Sequence, residues 1–283
     1  MRVIVTGAGG MLGKDLVKVL VGLEHDVLPL SHSALDITSL EQVRETVNGN
    51  KPKVIINCAA YTAVDAAESD WERALAVNGL GPRNLALACL ENGAALLQVS
   101  TDYVFSGEMD SPYGVFDSTG PVNAYGKSKL WGELAVRRVL PTCYIVRTSW
   151  LFGAGGANFV RTMLKLGREK TSLKVVDDQK GAPTFTPDLA RALADLIETD
   201  AYGIYHVTNS GATTWFGFAR EIFRQRGVSL QVNPCTTDEF PRPAPRPTNS
   251  LLDPFPLGET IGHLLPPWED ALARYLASER EEI

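Results

Sequence analysis

The chain is poor in the residues that build metal centres and disulfide frameworks. Among 283 residues there are four cysteines and four histidines. Cys58, Cys89, Cys143 and Cys235 show no Cys-x-x-Cys spacing and no Cys/His cluster, so neither structural zinc nor a set of stapled loops is expected. Cys58 follows a strand-like run and Cys89 falls on a helical one; both read as small reduced core residues. The isolated histidines give no reason to assign a ligand or a general base. A basic excess is missing too. The 27 Lys and Arg stand against 33 Asp and Glu, a net charge of −6, which excludes nucleic acid as an expected partner. No apolar run approaches the roughly 18 residues of a membrane span. Arg2-Val3-Ile4-Val5 opens a strand at once, with no room for a leader peptide. The expectation is a soluble, cytoplasmic protein with no membrane partner.

What is present is a core. With 45% hydrophobic and 21% charged residues, the chain can build a full α/β core with a smaller lobe attached. Short β-branched runs alternate with helical patterns from the start. Strands are expected at 2–6, 26–30, 53–57, 94–99 and 143–147, and helices at 11–21, 40–47, 78–92 and 124–139. Such alternation requires crossover connections. The fold class is therefore α/β, a doubly wound, Rossmann-type parallel sheet covered on both faces. Beyond about residue 150 the pattern loosens, with helices at 158–168, 187–198, 214–226 and 267–278 and strands at 173–176 and 204–207. The proline-rich 241–247 must run extended and reads as an ordered loop over a pocket rather than a peptide-module ligand. The expected division is a dinucleotide-binding part at 1–149 and a smaller C-terminal substrate-binding lobe at 150–283. Segments around 183–209 return to the first part.

Between the first strand and the first helix lies Gly7-Ala8-Gly9-Gly10-Met11-Leu12-Gly13, with glycines at 7, 10 and 13. Glycine there permits a tight turn, close approach of backbone N–H groups to a pyrophosphate, and tight helix–strand packing. An acid at the end of the second strand would bind the adenosine ribose and repel a 2′-phosphate. Here the strand ends Pro29-Leu30-Ser31-His32-Ser33, with no acid until Asp36. NADPH is therefore the expected cofactor, with NADH also usable, and Asp36-Ile37 is placed to meet adenine.

Tyr125 and Lys129 stand four apart in an expected helix, so a phenol and an ammonium share one face. The expectation is that the cation lowers the phenol's pKa. Tyr-x-x-x-Lys alone is common. It gains meaning from Ser100-Thr101-Asp102 in the turn after the 94–99 strand, on the side where parallel sheets bind ligands. Thr101 can share a substrate oxygen with Tyr125 while Lys129 holds the cofactor ribose, an arrangement for hydride transfer to a carbonyl with Tyr125 as proton donor. The plainer alternative is a surface helix beside a polar strand end.

At this point the chain resembles a known family, the dTDP-4-dehydrorhamnose reductases of the extended short-chain dehydrogenase/reductases. The wider family is marked by Asn57-Cys58-Ala59-Ala60-Tyr61-Thr62-Ala63-Val64-Asp65, Ser100 to Phe105, and Tyr125 to Lys129. The reductases themselves are marked by Arg147-Thr148-Ser149-Trp150-Leu151-Phe152, Asp178 to Thr184, and Arg246-Pro247-Thr248-Asn249-Ser250. The resemblance implies reduction of the 4-keto group of dTDP-4-dehydro-β-L-rhamnose, so a nucleotide sugar is the implied partner. It implies Thr101, Tyr125 and Lys129 as the catalytic triad, and Thr101, Asp102 and Trp150 as sugar contacts. Gly10, Met11 and Leu12 fall at the pyrophosphate, Asp36 and Ile37 at adenine, and Ala60, Tyr61 and Thr62 at the inner cofactor contacts. Some relatives hold a divalent metal between subunits, and a homodimer is among the partners it brings into view. Asp15, Asp188 and Glu279 or Glu282 match such a site only loosely, so no metal is assigned. The pattern Ser-Arg-Leu-Asp is replaced here by Ser250-Leu251-Leu252-Asp253.

Rival readings are weaker. A dehydratase needs an acid beside Asp102, where this chain has Tyr103. An epimerase retains its cofactor through the cycle, which no residue pattern reports. A non-catalytic relative, the regulatory subunit of methionine adenosyltransferase, shares the Tyr/Lys pair; Trp150 and Gly181-Ala182-Pro183-Thr184 favour the enzyme.

Overall fold

The computed structural model describes residues 1–279. The first half runs β1 (Arg2–Thr6), α1 (Met11–Gly22), β2 (Asp26–Leu30), α2 (Leu40–Asn50), β3 (Val54–Asn57), α3 (Trp71–Leu75), α4 (Gly81–Asn92), β4 (Ala95–Thr101), α5 (Ala124–Val139) and β5 (Cys143–Thr148). The second half runs β6 (Leu151–Phe152), α6 (Phe159–Glu169), β7 (Ser172–Val176), β8 (Lys180–Gly181), β9 (Thr184–Phe185), α7 (Thr186–Leu196) and β10 (Gly203–His206). It closes with β11 (Thr213–Thr214), α8 (Trp215–Arg226), β12 (Gln231–Cys235), α9 (Leu257–Ile261) and α10 (Trp268–Ser278).

Six strands form one parallel sheet in the order β10-β5-β4-β3-β1-β2. The two-residue period of a strand sends Val3, Val5, Ile56, Leu97 and Val146 to one face, against α1 and α7, and Ile4, Ile55, Leu96 and Ile145 to the other, against α2, α4 and α5. The chain leaves β1 for β2 on one side and then returns to β3 on the other. The crevice at the carboxyl ends of β1 and β3 is thus a topological switch point, where such sheets bind ligands.

Most expected elements are present with ends shifted by at most three residues, and two larger differences bear on the site. The helix expected at 78–92 begins earlier, at Trp71, and passes through a π-turn at Ala76–Leu80 before α4. Pro82 has no N–H for the Asn78 carbonyl. That carbonyl turns to α5, where a Cβ on Gly132 would come within 2.2 Å of it. β4 also runs past Val99 to Thr101, in register with Thr148 of β5, so Thr101 is the last residue of a strand rather than part of a turn.

Leu257 of α9 joins the core between α1 and α7, while most of the other segments beyond β5 gather around a separate aromatic core of Phe152, Phe185, Phe218, Trp268 and Tyr275. Three small pairings hold its edges, β7 with β12, β6 with β9 and β8 with β11. The proline-rich 241–247 has no helix or strand.

Candidate active site

β1 hands the chain to α1 through Gly7-Ala8-Gly9-Gly10. Gly7 sits at φ +66°, and a Cβ there would come within 2.5 Å of the Ala59 nitrogen just beyond β3. Gly10 caps α1 without a side-chain bond, and no acid stands in its first turn. First-turn N–H groups and the positive helix end are therefore free for phosphate oxygens. This cradle fits a dinucleotide pyrophosphate.

A cleft of about 600 Å³ opens beyond the turn. Gly7, Gly10, Asp36, Ile37, Ala60 and Tyr61 line it, together with His32, Cys58 and Arg73. The side-chain hydroxyl and backbone N–H of Thr38 hold Asp36 below the usual carboxylate range. Gly13 is needed for packing instead, since its Cβ would meet the Gly7 carbonyl at 2.4 Å. Met11 is half-buried. Leu12 is buried in the core, which leaves its backbone for any ligand contact. Thr62 is exposed and outside the lining.

The reaction end is built by α5. Asn123 caps it, accepting the Gly126 N–H at 2.8 Å, and a Cβ on Gly126 would come within 2.1 Å of the Tyr103 carbonyl. The helix is thereby pressed against the end of β4. Tyr125 meets the Tyr103 ring edge-on at 5.9 Å and lies beside the Thr101 hydroxyl. That hydroxyl donates to Asp102 Oδ1 at 2.9 Å and accepts the Tyr103 N–H at 3.2 Å.

The electrostatics correct one expectation. Lys129 does not lower the Tyr125 phenol: its Nζ donates to the Val99 carbonyl at 2.7 Å. Burial pushes Tyr125 up to about 12; Thr101 opposes the rise and the Asp102 charge adds to it. Burial also takes Lys129 down to about 8, against the pull of Glu133 and Cys58. Tyr125 is therefore protonated at neutral pH, the form that donates a proton.

Trp150 sits at φ +47°, half-buried. Its ring stacks on Trp215 at 3.6 Å, and a Cβ on Gly181 would fall 2.4 Å from it. Trp215, missed in the sequence, donates its indole N–H to Gln179, so the aromatic pair is fixed in place.

A family profile described as "RmlD substrate binding domain" matches residues 1–281. A dTDP-4-dehydrorhamnose reductase from Streptomyces griseus is 51% identical over 89% of this chain and 85% of its own length. The chain belongs to the dTDP-4-dehydrorhamnose reductase family. A solved reductase of that name from Clostridium acetobutylicum superposes with a TM-score of 0.97 at 46% identity, covering 99% of this chain and 100% of the other. One from Bacillus anthracis, in complex with NADP, superposes at 0.95 with 43% identity, over 98% and 99%.

Other reductase-family features settle at this level. The 250–253 segment is held by backbone bonds: the Tyr113 N–H donates to the Leu251 carbonyl and the Asp253 N–H to the Tyr113 carbonyl, both at 2.8 Å. Asp15 accepts from Thr186, Asp188 pairs with Arg274 at 2.7 Å, and Glu279 pairs with Arg161 at 2.7 Å. Glu282 lies outside the described residues. Among those described, no three His, Cys, Asp or Glu gather as a metal site. Asp65, beyond the cofactor loop, clasps Arg242 and Arg246 of the proline-rich segment at 2.6 Å each. That contact was invisible in sequence at a separation of some 180 residues.

Asp102 yields a stability test. It is 2% exposed, and its Oδ2 has no hydrogen-bond partner among the described residues; nearby Ser250 donates to the Lys180 carbonyl instead. Burial raises the carboxyl to about 6, against hydrogen bonds that lower it. Its contribution to stability is thus full below the unfolded value near 3.8 and lost as pH rises through about 6. Above that the charge costs about 3 kcal/mol, at roughly 1.4 kcal/mol per unit. Asp102→Asn is expected to raise the thermal midpoint by several degrees at pH 8 and by little at pH 4. Melting curves at the two pH values check this; an equal shift at both would refute it.

Proposed function

We propose that the chain reduces the 4-keto group of dTDP-4-dehydro-β-L-rhamnose to give dTDP-L-rhamnose, using NADPH and, less selectively, NADH. The observation that carries the reading is the meeting of Thr101, Tyr125 and Lys129 at the carboxyl end of β4, beside a glycine-turned cleft. Family membership narrows the substrate to a nucleotide-linked keto sugar.

A nicotinamide held in the cleft would supply the hydride for the sugar carbonyl carbon. Thr101 Oγ1 orients the carbonyl oxygen, and Tyr125 passes its phenolic proton to that oxygen as it becomes a hydroxyl. Lys129 holds ribose hydroxyls. Gly7, Gly10, Met11 and Leu12 hold the pyrophosphate by backbone, with Gly13 closing the turn. Asp36 and Ile37 border adenine, and Ala60, Tyr61 and Thr62 the inner half of the cofactor. Asp102 and Trp150 border the sugar, whose apolar deoxy face suits an indole. In this reading the chain beyond residue 150, apart from α7, β10 and α9, forms the sugar-binding lobe.

The test is direct. Generating the keto sugar in place with the preceding dehydratase and epimerase, the loss of nicotinamide absorbance is followed with each cofactor. Dinucleotide binding without turnover of the sugar would instead favour a non-catalytic partner protein.

Cofactor choice has its own readout. The hydroxyls of Ser31 and Ser33 bond to each other at 2.8 Å, and no acid guards this strand end. Ser31→Asp is expected to shift the kcat/KM ratio toward NADH by about tenfold, through repulsion of the 2′-phosphate. An unchanged ratio would place that phosphate elsewhere.

A further inference from the structure

Tyr125, Lys129 and Glu133 stand at four-residue steps on α5, so they share one helix face. Lys129 and Glu133 are 4% and 1% exposed. They reach neighbouring residues of β4. Lys129 Nζ donates to the Val99 carbonyl at 2.7 Å, and Ser100 Oγ donates to Glu133 Oε1 at 2.5 Å.

Glu133 is also half of an ion pair. Arg147 of β5 donates from Nε to Oε1 and Oε2 at 3.0 and 3.2 Å, and from Nη2 to Oε2 at 2.7 Å. Arg147 itself is 3% exposed, stacks over the Phe105 ring at 4.9 Å and reaches His206 Nε2 at 3.4 Å. Desolvation cancels much of what a buried pair gains, and well-packed apolar residues would stabilise the spot as well. A stability role alone leaves this pair unexplained. Its placement one turn from Lys129 supplies the reason.

We propose that Glu133 is a positioning residue, a buried counter-charge that keeps Lys129 an ammonium at the dry edge of the cofactor site, with Arg147 holding Glu133 ionised in turn. Of the other titratable groups near Lys129, Cys58, Tyr125 and His206 are neutral near pH 7, and Asp102 is ionised but bears on Tyr125. Burial pushes the Cys58 thiol beyond β3 up to about 12, and Tyr125 up to about 12. Burial and the Arg147 charge push His206 of β10 down to about 4. Asp102, ionised above about 6, faces Tyr125. The charge balance at Lys129 is therefore set from its own helix by Glu133 and from β5 by Arg147 behind it.

The inference rests on Lys129 serving the bound dinucleotide. Lys129→Met tests that reading first: cofactor affinity and turnover both retained would sink it, independently of Glu133. Glu133→Gln keeps the shape and can keep the Ser100 bond while removing the charge. The alkaline limbs of kcat/KM and of NADPH affinity, the latter read by nicotinamide fluorescence, are expected to move to lower pH by about one unit or more. The sign follows because an ammonium without its counter-charge gives up its proton earlier. The double variant Glu133→Gln/Arg147→Met avoids stranding a buried guanidinium, so it guards against a single variant that fails to fold, and its limb is expected to move the same way. Limbs that stay in place, with activity scaled down equally at every pH, would overturn the proposal and leave Glu133 a packing element.

Discussion

Tyr125→Phe is expected to lose about 10²–10⁴-fold in turnover, the usual worth of a positioned proton donor, while NADPH affinity stays near its original value. The phenol is protonated at working pH because burial pushes it up to about 12, and it stands beside the Thr101 hydroxyl, where a carbonyl oxygen would be held. Phenylalanine keeps the ring and its edge-on contact with Tyr103 at 5.9 Å, so the fold and cleft persist. Single-turnover reduction of the keto sugar and fluorescence titration of the cofactor separate the two effects. Turnover within a few-fold of the wild type would remove Tyr125 from the chemistry. A parallel collapse of cofactor affinity would give it a binding role instead.

The second large effect is expected at Gly7. An alanine there must adopt φ +66° with its methyl 2.5 Å from the Ala59 nitrogen. The left-handed conformation alone costs about 1–2 kcal/mol, and a backbone neighbour cannot step aside as a flexible side chain can. Either the turn lifts off α1 or the loop carrying Ala60 and Tyr61 shifts, and both line the cleft. NADPH affinity is expected to weaken by at least about tenfold, near 1.4 kcal/mol, with a lower thermal midpoint. Gly22→Ala, where nothing lies within 4 Å of the added carbon, is the control and should leave affinity unchanged. Equal affinities in the two variants would show that the turn does not shape the cofactor site.

Much of this was readable along the chain because it is local. Alternating apolar runs specify strands and crossovers, and spacing alone puts Tyr125 and Lys129 on one face. The glycine turn announces its need for close backbone approach. What escaped was tertiary. The sequence places Lys129 on a helix face, yet only packing shows that its ammonium turns to Val99 and that burial, rather than the lysine, governs the Tyr125 phenol. Glu133 could have been noticed four residues beyond Lys129; its Arg147 partner on a neighbouring strand could not. The early start of the helix at Trp71 escaped because the π-turn at Ala76–Leu80 breaks the 3.6-residue rhythm between it and α4. Trp215 lay far from Trp150 in sequence, and nothing local says that they stack.

The return of α7 and β10 to the sheet limits how this chain can be recombined with its relatives. α7 covers the same face as Leu12, Leu16 and Leu20 of α1, and β10 completes the sheet beside β5. A fragment cut near residue 149 would bare that apolar face and leave β5 as a long unpaired edge, an invitation to aggregate. Transplanting a foreign sugar pocket onto this cofactor platform is therefore not a single crossover. The donor material would have to enter as two inserts, one before α7 and one after β10. The junctions would also have to preserve the clasp of Asp65 on Arg242 and Arg246, which ties the later insert back to the platform.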